Sequence, residues 1–185
     1  MNKIKEFFSE YGKIVSKILI NHIAMSIFGL MVCLCTKTMN NALFWIAGVF
    51  ATLLYMFLLY MVMWELGSKN NVKRYDDGEK PDKLLGLKIS LVKNSVFILV
   101  AILISVFSLF TTEDVSGMNS FLAILKSVMV LFFDSMYMPV FTVCQFSAIF
   151  LILIIPEILC CTLSYLAGLS GMKCIFPDKK ENKKK

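Results

Sequence analysis

Six polar residues lie within or at the ends of long apolar stretches of this 185-residue chain. Polar side chains are costly in an apolar environment, so they usually pair with one another or mark a site. An imidazole titrates near neutral pH and an ammonium group pairs with a carboxylate, so the set offers proton transfer and ion pairing. The six candidates are His22, Asn21, Glu65, Lys93, Asn94 and Glu157.

Helical geometry brings these six residues, which we call the inner polar layer, to a similar depth. With a rise of about 1.5 Å per residue, Glu157 lies roughly 25 Å from Val140, at the inner end of its apolar stretch. We predict that Glu157 pairs with Lys93. The alternative is that Lys93 extends to lipid headgroups, Glu65 ends its helix at water, and Asn21 and His22 bond neighbouring backbone.

No catalytic or metal-binding motif accompanies the inner polar layer. The chain has six cysteines and one histidine, with no Cys-x-x-Cys, His-Glu-x-x-His or Gly-x-Ser-x-Gly pattern. Cys33 and Cys35 are two residues apart on one predicted helix, where they are badly placed to bridge each other. The sequence therefore predicts no metal, no cofactor and no enzymatic activity.

Composition identifies lipid as the solvent of this chain. It is 58% hydrophobic and has a mean hydropathy of +0.74, whereas soluble domains are about half apolar and a quarter charged. The net charge is +6, but the basic residues flank apolar stretches. We therefore expect membrane lipids as partners, including anionic lipid of the inner leaflet, and no nucleic acid.

The basic residues also predict the topology. Of nineteen Lys and Arg residues, seventeen fall before Ile18, between Glu65 and Lys93, or after Gly171. Basic residues accumulate on the cytoplasmic side of membrane proteins, so both termini are expected inside. The predicted location is the bacterial plasma membrane.

Hydropathy divides the chain into an all-α, polytopic arrangement with four transmembrane helices. A cytoplasmic amphipathic helix that lies on the interface is predicted for residues 1–17, ahead of a transmembrane domain over 18–170 and a basic cytoplasmic tail over 171–185. Turn residues place a cytoplasmic loop over 65–88. The predicted spans are 18–35, 43–64, 89–110 and 140–166.

Residues 121–138 are predicted to form a re-entrant or interfacial helix on the outer side. Their apolar run is short, contains Lys126 and ends at Asp134, and both charges are expected at the headgroups. A fifth crossing here would place the basic tail outside, against the charge rule.

Small residues predict close helix packing at two places. Their spacing of four residues suits the approach of two helix backbones, either within the bundle or between copies in a homo-oligomer. The candidates are Ala47, Gly48, Ala51 and Thr52 on the second span, and Ser164 and Gly168 on the fourth.

Several of the residues near predicted membrane edges also carry a resemblance. They are Asn40, Asn41, Tyr55, Leu58, Leu59, Tyr60, Trp64-Glu65-x-Gly67-x-Lys69, Gly86-Leu87-Lys88-Ile89, Pro156 and Tyr165-x-x-Gly168. This pattern covers most of the chain and resembles a group of small multi-pass bacterial membrane proteins of unknown function. The resemblance implies a bacterial plasma-membrane location and no particular activity.

Three classes of function follow from these features. The first is a non-catalytic accessory or regulatory membrane component that contacts another membrane protein. The second is a small oligomeric transporter or channel, for which a layer of buried polar residues would be typical. The third is a membrane-embedded lipid-modifying enzyme, in which His22 and Glu157 would be the acid–base pair.

Overall fold

A computed structural model describes residues 2–77, 81–110, 116–144 and 148–172 of the chain. The described part is helical and contains no strand, which confirms the all-α prediction there. Six α-helices follow one another, with a π-helical turn at Met129–Phe133 and a 3-10 turn at Ser135–Tyr137 between the fourth and fifth. The helices are α1 (Asn2–Lys37), α2 (Asn41–Asp77), α3 (Leu85–Phe110), α4 (Ser116–Val128), α5 (Met138–Val143) and α6 (Ile149–Leu169).

Four helices, α1, α2, α3 and α6, are long and apolar enough to cross a membrane. Their most apolar windows have a mean hydropathy of 2.2 to 2.3, and most of each window faces away from the protein interior. Helices with apolar outer faces require lipid around them. The protein is thus a multi-pass membrane protein, in agreement with the predicted count of four spans.

The first predicted boundary is wrong, because α1 continues without a break through residue 17 into the apolar stretch. No proline interrupts this region, so nothing in the backbone forces a turn. The apolar side chains Phe7, Tyr11, Ile14 and Val15 pack against the bundle's main core. Residues 2–17 are therefore the N-terminal part of the long helix α1, which contacts the bundle, and no break separates them from the apolar stretch.

The predicted loop over 65–88 is also largely helical. Helix α2 continues beyond Trp64 to Asp77, and α3 begins at Leu85 rather than residue 89. Only residues 81–84 form the described part of the connection, since 78–80 lie outside the described residues. A side-chain oxygen of Asp82 accepts a hydrogen bond from the Leu84 backbone N–H at 2.9 Å, which helps to start α3.

The fourth span is shorter than predicted, because Val140 belongs to α5 and α6 begins at Ile149. Pro156 lies inside α6. Before it, the chain bends by 94° between the helical segments Ser120–Leu131 and Ser135–Val143. Residues 134–137 are buried in the bundle, so of the two alternatives predicted for 121–138 the interfacial one does not hold at the C-terminal end, and the re-entrant one stays a prediction.

Two glycines allow this bend to enter the bundle. A Cβ added at Gly29 of α1 would lie 2.7 Å from the Met136 Cα, and one at Gly48 of α2 would lie 2.5 Å from the Pro139 Cγ. Beside Gly48, the Thr52 hydroxyl donates to the Met136 carbonyl oxygen at 3.5 Å. Any side chain larger than hydrogen at either glycine would displace the bend.

The predicted small-residue faces pack within the molecule. A Cβ at Gly168 of α6 would lie 2.2 Å from the Trp64 carbonyl oxygen, and one at Gly67 of α2 would lie 2.2 Å from the Tyr165 carbonyl oxygen. Helices α2 and α6 therefore cross with their backbones in contact. Ala47 and Ala51 of α2 and Ser164 of α6 are also buried.

Candidate functional site

One side chain from each of the four long helices meets in a buried polar cluster. The Lys93 Nζ of α3 lies 2.6 Å from a carboxylate oxygen of Glu157 on α6. The same nitrogen lies 2.8 Å from the His22 Nδ1 of α1 and 3.1 Å from the Tyr55 hydroxyl of α2. The structure thus contains the Lys93–Glu157 pair that was predicted from depth alone, and adds two partners to it.

The cluster is closed to its surroundings. The side chains of Lys93, Glu157 and His22 are 1%, 4% and 3% exposed, and Tyr55 is fully buried. Buried charges are tolerated when each is paired and hydrogen-bonded. Here the ammonium group meets three acceptors, which equals the number of its protons.

The His22 Nδ1 lies close to three polar groups of the cluster. It lies 2.8 Å from the Tyr55 hydroxyl and 3.3 Å from the second carboxylate oxygen of Glu157, as well as near Lys93. When Lys93 donates to it as an ammonium group, this nitrogen is unprotonated and the imidazole is neutral.

Aromatic rings enclose the charged groups. The imidazole of His22 stacks on Phe97 with ring centroids 5.1 Å apart and an interplanar angle of 20°. The Lys93 Nζ lies 5.2 Å from the Phe97 ring centroid and 5.7 Å from that of Tyr55. Both distances suit a cation–π interaction, so the rings contribute to holding the ammonium group where water does not reach.

Three predicted members of the inner polar layer lie outside the cluster, and two of them, Glu65 and Asn21, are at least partly exposed. Glu65 is about half exposed and pairs with Lys69 at 2.7 Å and with Lys17 at 3.9 Å. Asn21 is half-buried and lines a surface cleft of α1 together with Lys17. Successive residues of a helix point about 100° apart, and depth along the helix does not determine this rotation.

The third outlier, Asn94, is buried without a hydrogen-bond partner. It is 1% exposed, and neither its amide nitrogen nor its carbonyl oxygen has a partner among the described residues. Buried amides are normally bonded. The side chain of Asn94, which follows Lys93 in the chain, thus has a donor and an acceptor without partners among the described residues.

Sequence reasoning missed two residues. Tyr55 was read only as part of a resemblance, although a hydroxyl in the middle of an apolar span is a signal of a polar partner. Asp134 was expected at the headgroups, yet it is 8% exposed and lies in the bend, within electrostatic range of Glu157 and Lys93. The short apolar run allowed a re-entrant segment, but no pattern in the sequence indicates that Asp134 itself is buried.

A second, partly exposed network joins the helices at the end that carries the basic residues. Asp82 pairs with Lys88, and this ammonium group lowers the pKa of the Asp82 carboxyl below its usual value. The Asp82 carbonyl oxygen accepts a hydrogen bond from the Tyr165 hydroxyl at 3.0 Å, and Asn70 donates to the same hydroxyl at 3.2 Å. These contacts join α2, the start of α3 and α6. The Asp82–Lys88 pair is about half exposed and contributes little by itself, whereas Tyr165 is buried.

The described residues contain no group of three His, Cys, Asp or Glu side chains that could hold a metal ion. The five cysteines among them are free thiols. Cys174 and the rest of the predicted tail from residue 173 onward lie outside the described residues.

Comparison of the chain with protein-family models, with curated proteins and with solved structures gives no match. A functional assignment must therefore start from the geometry of the cluster.

Proposed function

We propose that this protein is a non-catalytic, multi-pass membrane component that acts as an accessory or regulatory partner of another membrane protein. The observation that supports this function is the closed hydrogen bonding of Lys93. Its three protons face Glu157, His22 and Tyr55, so none remains for a substrate. Such a cluster specifies how α1, α2, α3 and α6 pack, and it presents no reactive group to lipid.

The proposed orientation has both termini in the cytoplasm of a bacterial cell. It is supported by the seventeen basic residues that flank the apolar stretches on one side. In this orientation the bend between α4 and α5 is a re-entrant element that enters from the outer side. Its 94° angle and its packing on Gly29 and Gly48 support this arrangement.

The proposed partners are lipids and a second membrane protein or another copy of this chain. Large apolar side chains such as Ile20, Ile46 and Leu53 are more than 60% exposed on the outer faces of the helices. These faces suit acyl chains, and the basic side chains at the helix ends suit anionic headgroups.

A flux measurement tests the accessory function. Purified protein in lipid vesicles with a pH-sensitive dye inside should hold an imposed proton gradient as long as protein-free vesicles do. The control is Lys93→Met in the same vesicles, which should also be tight. Proton or potassium flux that the wild type supports and Lys93→Met abolishes would contradict the proposal.

That contradicting result would favour the second candidate, a small oligomeric transporter. One observation supports this alternative: a helix is broken at a buried acidic residue, Asp134, near an ionic cluster. Broken helices at membrane depth often form the ion sites of transporters. A lipid-modifying enzyme receives less support, because the carboxylate of Glu157 and the imidazole of His22 are enclosed.

A further inference from the structure

A small polar pocket lies between α1, α2 and the start of α3, at the end of the bundle that carries the basic residues. Its volume is about 280 Å³, at the small end of the range for ligand pockets. Three separate segments of the chain build it, so it is a feature of the fold and not of one helix. Its lining includes Glu10, Tyr11, Asn70, Lys73, Asp82 and Leu85.

Hydrogen bonds hold two of the lining residues in place. The Asn70 amide donates to the Tyr165 hydroxyl at 3.2 Å, and this hydroxyl donates to the Asp82 carbonyl oxygen at 3.0 Å. Leu85 is 4% exposed and belongs to the main core. This side of the pocket is therefore formed before any ligand arrives, which lowers the cost of ordering side chains on binding.

The pocket presents two opposite charges that are not paired. Glu10 of α1 and Lys73 of α2 are both exposed, and neither forms an ion pair with the other or with a further described residue. The third charge, that of Asp82, is balanced by Lys88. A ligand that carries both an ammonium group and an anionic group can pair with Glu10 and Lys73 at once, whereas an ion of one sign is attracted by one and repelled by the other.

The position of the pocket along the helices favours a ligand from water over a lipid. Asn70 and Lys73 lie six and nine residues beyond Trp64, the end of the predicted second span, which is roughly 9–14 Å at the rise of an α-helix. Glu10 lies a comparable distance before Ile18, where the first predicted span begins. The headgroup layer on one side of a bilayer is about 5–8 Å thick, so the pocket opens beyond it.

We propose that this pocket binds a small, water-soluble zwitterion of amino-acid size, whose ammonium group pairs with Glu10 and whose carboxylate pairs with Lys73. The bound ligand connects the N-terminal part of α1 to α2 and so stabilises this end of the bundle. The inference goes beyond the accessory function and rests on it only for the compartment, because the proposed orientation places the pocket in the cytoplasm.

Isothermal titration calorimetry on the full-length protein, in nanodiscs of phosphatidylglycerol so that no zwitterionic lipid competes, tests the site. Glycine, L-alanine and γ-aminobutyrate carry both charges, whereas acetate and ethylamine carry one each. We expect saturable binding of at least one of the three zwitterions, and binding of acetate and ethylamine that is weaker by about tenfold or more. Absence of saturable binding at millimolar concentrations, or acetate or ethylamine binding as tightly as the zwitterions, would overturn the proposal.

Two variants assign the binding to this pocket. Glu10→Gln and Lys73→Met alter exposed side chains, so both should keep the wild-type Tm without ligand, and each should weaken zwitterion binding by about tenfold or more. The matched control is Lys13→Met, which alters an exposed lysine of α1 that lines a different cleft and should leave binding unchanged. Binding that survives both pocket variants, or that falls equally in the control, would contradict a site at Glu10 and Lys73.

Glycerophosphoethanolamine, a lipid headgroup without its acyl chains, distinguishes the two sources of a zwitterion. Its ammonium and phosphodiester groups offer the same chemistry as an amino acid. If it binds and none of the three amino acids does, the ligand is a lipid headgroup and the soluble ligand is ruled out. Calorimetry does not depend on flux through vesicles, so the accessory function and this site fail separately.

Discussion

The loss of unfolding free energy on replacing Lys93 or Glu157 depends on whether the other residue is still present. Both are nearly inaccessible, and their charged atoms are 2.6 Å apart. Removing one partner from a buried pair leaves an uncompensated charge and typically costs about 3–5 kcal/mol, whereas replacing both with apolar groups is often close to neutral. The pair therefore predicts a strongly non-additive mutational cycle.

We expect Glu157→Gln and Lys93→Met each to lower the unfolding free energy in detergent by about 3 kcal/mol. The double variant should recover part of this loss. The matched control is Glu65→Gln, which breaks an exposed pair with Lys69 and should change stability by less than about 1 kcal/mol. Silent single variants, or effects that simply add, would mean that both side chains reach water independently.

The depth of the cluster residues along their helices could be predicted from the sequence. Which residues belong to the cluster could not. Charged residues in apolar stretches can be counted from the membrane edge, and this placed His22, Lys93 and Glu157 together. Membership depends also on the rotation of each helix, which distant contacts determine. For this reason Glu65 was included wrongly and Tyr55 was omitted.

At the scale of elements, the crossing of α2 and α6 depends on two glycines. Gly67 and Gly168 face each other, and a Cβ on either would lie 2.2 Å from a carbonyl oxygen of the opposite helix. A backbone atom cannot rotate away as a flexible side chain can. The helices must therefore separate when a methyl group is added.

We expect Gly168→Ala to lower stability by about 1–3 kcal/mol, as overpacking does. The control is Gly12→Ala on α1, where an added Cβ meets nothing within 4 Å. That change should be neutral or stabilise by up to about 1 kcal/mol, because alanine favours a helix. Thermal unfolding of both variants compares them, and equal effects would show that α2 and α6 do not touch at Gly168.

Helix interiors were predicted better than helix ends. Apolar stretches predict the positions of α1, α2, α3 and α6. A helix can continue beyond its apolar stretch, however, as long as its residues favour a helix and no helix breaker follows. This explains why α2 continues past Trp64 to Asp77. The bend at Asp134 was not predictable, because it depends on the space that Gly29 and Gly48 leave on other helices.

At the scale of the whole molecule, the arrangement is a four-helix bundle with an ionic cluster inside and apolar side chains outside. In lipid the outer faces gain little from association, so interior packing and polar contacts must specify the bundle. The cluster and the glycine crossings lie at different places along α2 and α6. The pairing of α2 with α6 is therefore specified by two features, the polar contacts of the cluster and the close backbone packing at the glycines.

The topology of the molecule can be tested with alkaline phosphatase fusions, since the enzyme is active only outside the cytoplasm. With four crossings and both termini inside, a fusion after Ser116 should be active and one after Lys185 inactive. A cytoplasmic reporter at the same two positions should give the reverse pattern, which controls for expression. Activity after Lys185 would mean that the bent pair, Ser120–Leu131 with Ser135–Val143, crosses the bilayer as a fifth span. In that case the tail lysines would lie outside, Asp134 would lie within a broken span, and transport would become the better-supported function.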